Sequence, residues 1–332
     1  MKFVSASLVK RGLQALACGA IAVSLLFYAH CVVLPSEERA ILFYSSHSRD
    51  DLKQVVLKAL SKAKRSLRVS TYALTDPHLF ASLQRKAEEK VEVHLLYHDK
   101  NLLKSQPVTQ ECLHLTSRKG RGLMHEKWFM IDEHTLFLGT ANLTTSSLTM
   151  HDNFLMGIYS PALCAELFHR KENYYHALVD VQQIDLFFLP NSQALSYLLT
   201  ALNRAKRSVI LSLFTFTHPV ISDALVQLHQ RRVHVELYLD QRAARGSSKK
   251  VVKQLQEAGI QVRVSQGLPL FHHKWGLIDS DTLILGSANW TKAAFEKNQD
   301  LLLFLTPLNR QQQRLLKRIV RIIGQESVRV AS

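Results

Sequence analysis

The chain has few cysteines and few acidic residues, and both shortages exclude classes of site. Four cysteines occur among 332 residues, and no two of them have the C-x2-C spacing that zinc sites commonly use. The sequence also offers no obvious cluster of carboxylates that would hold a catalytic metal ion. We therefore predict no metal and no cofactor. Cys112 and Cys164 are expected to be buried thiols, with a disulfide as the alternative if the domain is exported.

The scarcity of acidic residues leaves the chain strongly basic. Lys and Arg number 42 against 27 for Asp and Glu, which gives a formal net charge of +15. A surplus of this size favours polyanionic partners, either nucleic acid or anionic lipid headgroups. The charge alone does not distinguish the two.

The N-terminus contains one long uncharged run. Residues 12 to 35 follow Lys2, Lys10 and Arg11 and are long enough to cross a bilayer as a helix. We predict that residues 1–35 form a signal anchor, with a cleavable signal peptide as the alternative. The basic flank predicts a cytoplasmic N-terminus, which places the catalytic region on the exported side, or makes it secreted if the segment is cleaved.

The rest of the chain is an internal duplication with no low-complexity linker. The sequence AKRSLRVS from Ala63 returns as AKRSVILS from Ala205, which predicts repeats over residues 40–180 and 185–328. Helices alternate with short apolar strands, so we predict an α/β fold of two tandem lobes with mixed sheets. In the two repeats we predict helices over 50–63 and 192–205, strands over 66–72 and 208–214, helices over 77–89 and 219–231, strands over 91–97 and 233–239, and closing strands over 153–159 and 300–305.

One pattern, H-x-K-x4-D-x6-G-[ST]-x-N, occurs once in each repeat. Two complete copies with the same internal spacing, both on apolar strand-like frames, are not expected by chance. A hairpin is predicted at each copy, with turns at Glu133-His134 and Ser280-Asp281. The copies supply His125, Lys127, Asp132, Gly139 and Asn142, and then His272, Lys274, Asp279, Gly286 and Asn289.

These residue types suit chemistry at a phosphodiester. Two histidines can share a displacement at phosphorus, one as nucleophile and the other as acid and base. Each motif lysine shares a strand face with its histidine and can neutralise phosphate oxygens. The asparagines, Asn142 and Asn289, are polar groups beside a glycine that lets backbone come close. Asp132 and Asp279 should point away from the phosphate and pair with a cation at the lobe interface.

The two motifs resemble the paired HKD motifs of the phospholipase D superfamily, and the resemblance covers roughly residues 45 to 325. It implies a pseudo-twofold arrangement with one active site at the lobe interface. It also implies that His125 forms the phosphohistidine and that His272 acts as acid and base. Members commonly carry an acidic residue eleven positions after the motif Asn. Asp300 stands at this position in repeat 2, so we expect its carboxylate to stabilise the charged form of His272. Asn153 stands there in repeat 1, and we expect its side chain to accept a hydrogen bond from the ring of His125.

We predict a membrane-associated phospholipase D-type phosphodiesterase that is independent of metal and hydrolyses phospholipids or transfers their phosphatidyl groups. The alternatives are a superfamily nuclease acting on DNA or RNA and a phosphatidyltransferase similar to cardiolipin synthase. The expected partner is a phospholipid at a membrane surface, with nucleic acid as the other candidate. A monomer is expected because both motifs are in one chain. The remaining histidines show no metal-ligand spacing, and most of them, His94 included, are predicted to lie on the surface or at strand edges.

Overall fold

The computed structural model describes residues 32–99, 101–102, 111–120, 122–267 and 269–330. The predicted membrane segment, residues 12 to 35, lies outside the described residues except for its last four. None of the helices in the described part combines the length and the apolar character that a bilayer-spanning helix requires.

The first lobe contains the helices and strands that the sequence predicts, with ends shifted by at most two residues, and adds elements at residues 41–45, 113–118 and 145–149. Its elements are β1 (Ile41–Ser45), α1 (Leu52–Ser61), β2 (Ser66–Thr71), α2 (Pro77–Glu88), β3 (Glu92–His98), β4 (Leu113–Arg118), β5 (Lys127–Ile131), β6 (Thr135–Gly139), α3 (Thr145–Thr149), β7 (Phe154–Tyr159) and α4 (Pro161–His169).

The second lobe repeats this order after a connecting hairpin. Its elements are β8 (Tyr174–Val179), β9 (Gln182–Phe188), α5 (Ser192–Asn203), β10 (Ser208–Leu213), α6 (Pro219–Gln230), β11 (His234–Leu239), α7 (Gln241–Arg245), α8 (Lys249–Glu257), β12 (Gln261–Ser265), β13 (Lys274–Ile278), β14 (Thr282–Gly286), α9 (Lys292–Glu296), β15 (Leu301–Thr306), α10 (Arg310–Gln325) and β16 (Ser327–Arg329).

The described strands form two mixed sheets with a common order. The first runs β1-β7-β6-β5-β2-β3-β4 and the second β16-β12-β11-β10-β13-β14-β15-β9-β8. Seven strands of each sheet therefore correspond one to one, with β9 in the place of β1. The three strands on one side are parallel and the others antiparallel. The hairpin strand β8 lies within residues 40–180 by sequence but pairs with β9 in the second sheet. The boundary between the predicted repeats thus differs from the boundary between the sheets.

Local sequence explains where the main helices begin. The carboxylate of Asp51 accepts the backbone N–H of Gln54 and caps α1, and Asp76 caps α2 in the same way ahead of Pro77. In the second lobe the side chain of Asn191 caps α5. Each helix then buries one apolar stripe against its own sheet, as the helical spacing of the apolar residues predicts.

One hydrophobic core extends across both lobes. It contains Met130 and Phe154 from the first sheet together with Trp275 and Leu303 from the second. The rings of Phe154 and Trp275 have centroids 5.9 Å apart. Removing these side chains from water favours a fixed position of one sheet against the other. The strand ends that carry the two motifs are held at this seam.

The motif hairpins turn one residue earlier than the sequence suggests. The residues with positive φ are Asp132 (49°) and Glu133 (57°), and Asp279 (53°) and Ser280 (61°) in the second copy. The turns span residues 132–134 and 279–281, so they contain the predicted pairs Glu133-His134 and Ser280-Asp281 and begin one residue before them. Positive φ at two successive residues is what a tight hairpin with right-handed strand twist requires, and Asp tolerates it better than most residues.

Candidate active site

The motif histidines lie immediately before β5 and β13, where the two lobes meet. The backbone N–H of His125 donates to the carbonyl of Gln299 at 2.7 Å, and that of His272 donates to the carbonyl of Asp152 at 3.0 Å. Each histidine is thus fixed by main chain from the opposite lobe. Both are nearly buried, with exposures of 8% for His125 and 6% for His272.

The side chains that hold the two imidazoles also come from the opposite lobe. Nδ1 of His125 lies 2.8 Å from Oδ1 of Asp300, and Nδ1 of His272 lies 3.0 Å from Oδ1 of Asn153. The expected pairing within each repeat is therefore wrong. The spacing along the sequence predicts that each partner lies beside the histidine of its own motif. In the structure, the cross-lobe backbone bonds bring each motif histidine next to the partner residue of the other lobe.

The hydroxyl group at the [ST] position of each G-[ST]-x-N motif orients the side chain that contacts the imidazole. The orientation of that side chain determines which ring nitrogen carries the proton. Ser287 donates its hydroxyl to Oδ1 of Asp300 at 2.6 Å, and Thr140 donates to Oδ1 of Asn153 at 2.8 Å. The amide nitrogen of Asn153 donates to the carbonyl of Ser147, so its oxygen is the atom left to accept from a ring N–H. Both histidines therefore carry the proton on Nδ1 and present Nε2 as the free base. The hydroxyl residue at the [ST] position of each motif is the sequence signal that could have indicated this contact.

Both motif lysines are buried beside their histidines. The exposures are 3% for Lys127 and 1% for Lys274. Each ammonium donates to the carbonyl of its own motif histidine, at 2.8 Å and 2.9 Å. An ammonium has three N–H donors, so two on each lysine remain for a phosphate. Burial lowers the pKa of Lys127 to about 7, with the negative charge of Asp300 acting in the opposite direction.

The two imidazoles differ in charge environment. Burial lowers the pKa of His125, the charge of Lys127 adds to this, and the carboxylate of Asp300 opposes it. Burial also lowers the pKa of His272 well below its ordinary value, followed by the charges of Lys274, Lys127 and His125. The side chain that contacts Nδ1 of His272 is the neutral Asn153, so this contact supplies no carboxylate to oppose the lowering of the pKa. The two histidines thus differ in basicity because their partners differ, but the charged imidazolium is favoured at His125 and not at His272.

Asn142 and Asn289 have a free acceptor each. Within the described residues, Oδ1 of both side chains is buried without a hydrogen-bond partner. Such orphaned oxygens are rare in folded proteins and are suited to a ligand or a water. The glycines beside them lie against backbone: a Cβ on Gly139 would overlap the carbonyl of Phe154, and one on Gly286 would overlap that of Leu301. These positions need glycine because two main chains approach closely there.

Two aromatic rings that the sequence did not single out line the site symmetrically. Tyr72 lies 5.2 Å from His125 between ring centroids, and Phe214 lies 5.2 Å from His272. The ammonium of Lys127 lies 5.5 Å from the centroid of Tyr72, and that of Lys274 lies 5.2 Å from Phe214. Both rings follow the matching strands β2 and β10, so the duplication itself could have located them.

The residue between histidine and lysine differs between the motifs. Glu126 is buried and receives hydrogen bonds from Ser70, Trp128 and Arg170, the last at 2.7 Å. His273 is fully buried, and its Nε2 lies 3.0 Å from Nδ1 of His47. Both side chains make these contacts on the opposite side of the strand from the lysine. They join the motif strands to the surrounding structure.

The motif aspartates lie at the far ends of β5 and β13. Asp132 accepts the backbone N–H groups of Lys64, Arg65 and Ser66 at 2.7 to 3.1 Å. Asp279 holds residues 206–208 in the same way. The prediction that they point away from the phosphate agrees with these contacts. The predicted pairing with a cation at the lobe interface is wrong, because the turn before β2 or β10 supplies the donors.

Replacing Asp132 with Ala should lower the free energy of unfolding by about 2–4 kcal/mol, because charge-assisted bonds to several main-chain donors are lost. Asp132→Asn should cost less, since Asn keeps an acceptor and tolerates positive φ. Urea unfolding of the three proteins measures the difference. The folded fraction should retain whatever activity the unaltered protein shows in the same assay. A loss of kcat in fully folded Asp132→Asn would contradict a purely structural role.

Residues 56–174 and 198–321 match the family described as cardiolipin synthase, PLD-like domain. The mitochondrial cardiolipin hydrolase of Mus musculus is 42% identical over 120 residues, which are 35% of this chain and 53% of that protein. The mitochondrial cardiolipin hydrolase of Homo sapiens is 43% identical over 115 residues, which are 34% of this chain and 44% of that protein. The chain therefore spans about half the length of the curated relatives it matches.

A solved structure shares the fold over nearly the whole chain. The phosphatidylserine synthase of Haemophilus influenzae Rd KW20 is similar with a TM-score of 0.72, over 90% of this chain and 89% of that one. Its sequence identity is 13%, so the likeness concerns the fold alone. Together with the family match, it confirms the predicted phospholipase D-like fold of two α/β lobes.

Proposed function

Because the chain belongs to the family of cardiolipin synthase, PLD-like domains, we propose that it is a membrane-associated phospholipase D-type phosphodiesterase that cleaves phospholipids without a metal ion. The observation that carries the proposal is the pair of imidazoles at the lobe seam. Each has its Nδ1 proton held from the opposite lobe and its Nε2 free, with a buried lysine two residues away. This set supplies a nucleophile, an acid and two cations.

In the first step, Nε2 of His125 attacks the phosphorus atom. The N–P bond forms as the bond to the leaving alkoxide breaks. His272 must enter this step with a second proton, taken up on its free Nε2, and gives that proton to the leaving oxygen. The phosphorylated imidazole of His125 is cationic because Nδ1 keeps its proton. Asp300, with its carboxylate fully buried and 2.8 Å from that nitrogen, stabilises this charge.

In the second step, His272 acts as the base. Its neutral Nε2 removes a proton from water, the water oxygen attacks phosphorus, and the N–P bond to His125 breaks. An alcohol in place of water would give phosphatidyl transfer through the same atoms. The low basicity of His272, which has the neutral partner Asn153, makes its protonated form a strong acid for the first step.

The lysines and asparagines receive the phosphate. Lys127 and Lys274 would neutralise the non-bridging oxygens, where charge grows as the leaving group departs. With its pKa lowered to about 7, Lys127 becomes more fully protonated when an anionic phosphodiester arrives beside it. Asn142 and Asn289, whose buried oxygens lack partners within the described residues, would orient the substrate or the attacking water.

The proposed location and oligomeric state rest on the sequence. An uncharged segment at residues 12 to 35 would anchor the chain and leave the catalytic lobes on the exported side, at a lipid surface, or secreted if it is cleaved. The site would be complete in a monomer, since both histidines and their partners belong to one chain. The repeats at 40–180 and 185–328 would act as a single catalytic unit.

Two other functions use the same chemistry. A nuclease is favoured by the net charge of +15, because a nucleic-acid backbone is polyanionic. A phosphatidyltransferase similar to cardiolipin synthase differs only in the acceptor, an alcohol instead of water. The relatives described above carry the name cardiolipin hydrolase, which makes cardiolipin the first substrate to test.

The test uses the purified full-length chain in EDTA with two substrates, cardiolipin vesicles and end-labelled single-stranded DNA and RNA. We expect cardiolipin to be cleaved to phosphatidate and phosphatidylglycerol, because no step requires a metal ion. His125→Ala, purified in parallel, is the blank. Added glycerol distinguishes transfer from hydrolysis by the product formed.

Two results would redirect the proposal. Cleavage of nucleic acid with intact vesicles would establish the nuclease instead. Activity that disappears in EDTA and returns with a divalent ion would contradict the two-histidine mechanism on either substrate.

A further inference from the structure

We propose that Glu92, His94 and His114, with the thiol of Cys112 as fourth donor, form a binding site for a zinc-like divalent cation at the edge of the first sheet. The site lies on β3 and β4, and its four side chains are distinct from those of the lobe seam. It goes beyond the phosphodiesterase reaction and does not depend on it. Spacing along the sequence does not indicate this site, because the donors alternate along two strands that are separated by a loop.

The sheet register brings the four donors together. His94 and His114 are direct partners in the parallel β3–β4 pair, and Val93 pairs with Leu113. Glu92 and Cys112 are therefore neighbours one step earlier. Side chains two residues apart share one face of a strand, so the four donors occupy a single patch.

The side-chain atoms already lie close together. Nε2 of His114 is 3.0 Å from Oε2 of Glu92, and the rings of His94 and His114 stack with centroids 4.6 Å apart. One ligand atom from each of these three residues lies within 4.8 Å of the other two. Cys112 stands opposite Glu92 in the register of the same strand pair, on the same face. A tetrahedral ion with bonds of about 2.0–2.3 Å needs only a small contraction of the three atoms from Glu92, His94 and His114, and would draw in the thiol of Cys112 as the fourth ligand.

The donor set suits zinc. Imidazole nitrogen, thiolate sulfur and carboxylate oxygen are its usual protein ligands, whereas magnesium and calcium prefer oxygen alone. Glu92 and His114 are about half exposed, so an ion can reach them from solvent. The nearest cation in register on β2, Arg68, turns its guanidinium over the ring of Phe168, 3.7 Å from the centroid.

The second lobe offers a matched surface without the full donor set. His234 and Glu236 on β11 correspond to Glu92 and His94, with Nε2 and Oε2 3.8 Å apart. Across from Glu236 on β12 stands Gln261, and the next residue on that face is Arg263. Gln261 thus takes the place of His114, and Gly259 takes that of Cys112, so the second lobe lacks the third and fourth ligands. The duplication thus supplies an internal control.

A cation bound in the first lobe would stabilise the pairing of the edge strand β4 with β3. In the described part of the first sheet, β4 pairs with β3 alone, and the chain runs from β4 towards the first HKD motif. The ion would cross-link β3 to β4 and stabilise the folded state by mass action. His94 is in register with Arg68, near the end of β2 opposite to the one that Tyr72 and His125 follow. Removal of the ion should therefore lower Tm and leave the cleavage rate at 25 °C unchanged.

The experiment titrates Zn²⁺ into the chelator-stripped full-length protein and follows heat and Tm. We expect one ion per chain and a higher Tm. His94→Ala/His114→Ala should weaken binding at least about tenfold, by analogy with the loss seen when groups supporting a metal site are removed. His234→Ala, the matched change in the second lobe, should bind like the unaltered protein. With Co²⁺ the complex should show a thiolate absorption band that Cys112→Ser abolishes.

Three results would overturn the proposal. Equal binding by the double variant and the unaltered protein would place the ion on other histidines. Absence of binding, or a Co²⁺ complex without the thiolate band, would also refute the four-donor site. Because the two substituted histidines are at the surface, the variants should fold, and circular dichroism checks that they do.

Discussion

Asp300→Asn should lower kcat for phosphodiester cleavage by about 10³–10⁴-fold, as the loss of a carboxylate that orients a catalytic histidine does elsewhere. The carboxylate opposes the effects of burial and of Lys127 on the pKa of His125. Its removal lowers that pKa further and leaves the cationic phosphohistidine without a counter-charge. Asn also has an amide that can turn a donor towards Nδ1 and select the wrong tautomer. Steady-state kinetics with short-chain phospholipid measures the loss.

A second buried carboxylate provides the control for this substitution. Oδ1 of Asp185 lies 2.8 Å from Nδ1 of His176, and Asp185 also accepts from Tyr174 and Tyr197, away from the seam. Asp185→Asn should therefore reduce stability with little change in kcat. If both variants lose kcat equally, the effect of Asp300 is on folding and not on the imidazole. If Asn153→Ala proves the more damaging change, the assignment of the charged imidazole to the nucleophile is wrong.

Removing either motif histidine should stop turnover but at different steps. His125→Ala lacks the nucleophile and should lose about 10⁴–10⁶-fold in kcat, with no covalent adduct. His272→Ala should still attack a substrate with a good leaving group, which departs without a proton. The phosphoenzyme on His125 should then accumulate, because no base activates water to hydrolyse it. Acid-labile phosphate on the protein, located by mass spectrometry, distinguishes the two variants.

The location of the adduct decides the roles. An adduct on His272 in the His125→Ala variant would reverse the nucleophile and the acid while preserving the reaction class. Absence of an adduct in both variants, with the proteins folded, would argue for direct attack by water. Lys274→Met should slow adduct formation in either case, because it removes a buried cation from the phosphate.

The sequence by itself determined the architecture and the members of the site. Repeated apolar periodicity predicted most of the helices and strands, though not β1, β4 or β12, since burial of one face imposes its own spacing on the chain. Two intact HKD motifs predicted one shared site for His125 and His272, because neither repeat holds both. Even the unequal partners, Asp300 and Asn153, were visible as residues at matching positions.

The tertiary structure alone decided which side chain holds which imidazole. Spacing along a strand predicts contacts within a repeat, but His125 and His272 are bonded to main chain of the other lobe, so the partners are exchanged. The same holds for Asp132, whose donors lie in a turn about 67 residues away in sequence. It holds for the Glu92, His94, Cys112 and His114 patch, which exists only because β3 and β4 pair in one register. Local patterns fix elements and chemistry, whereas a contact between distant residues depends on packing that no single segment contains.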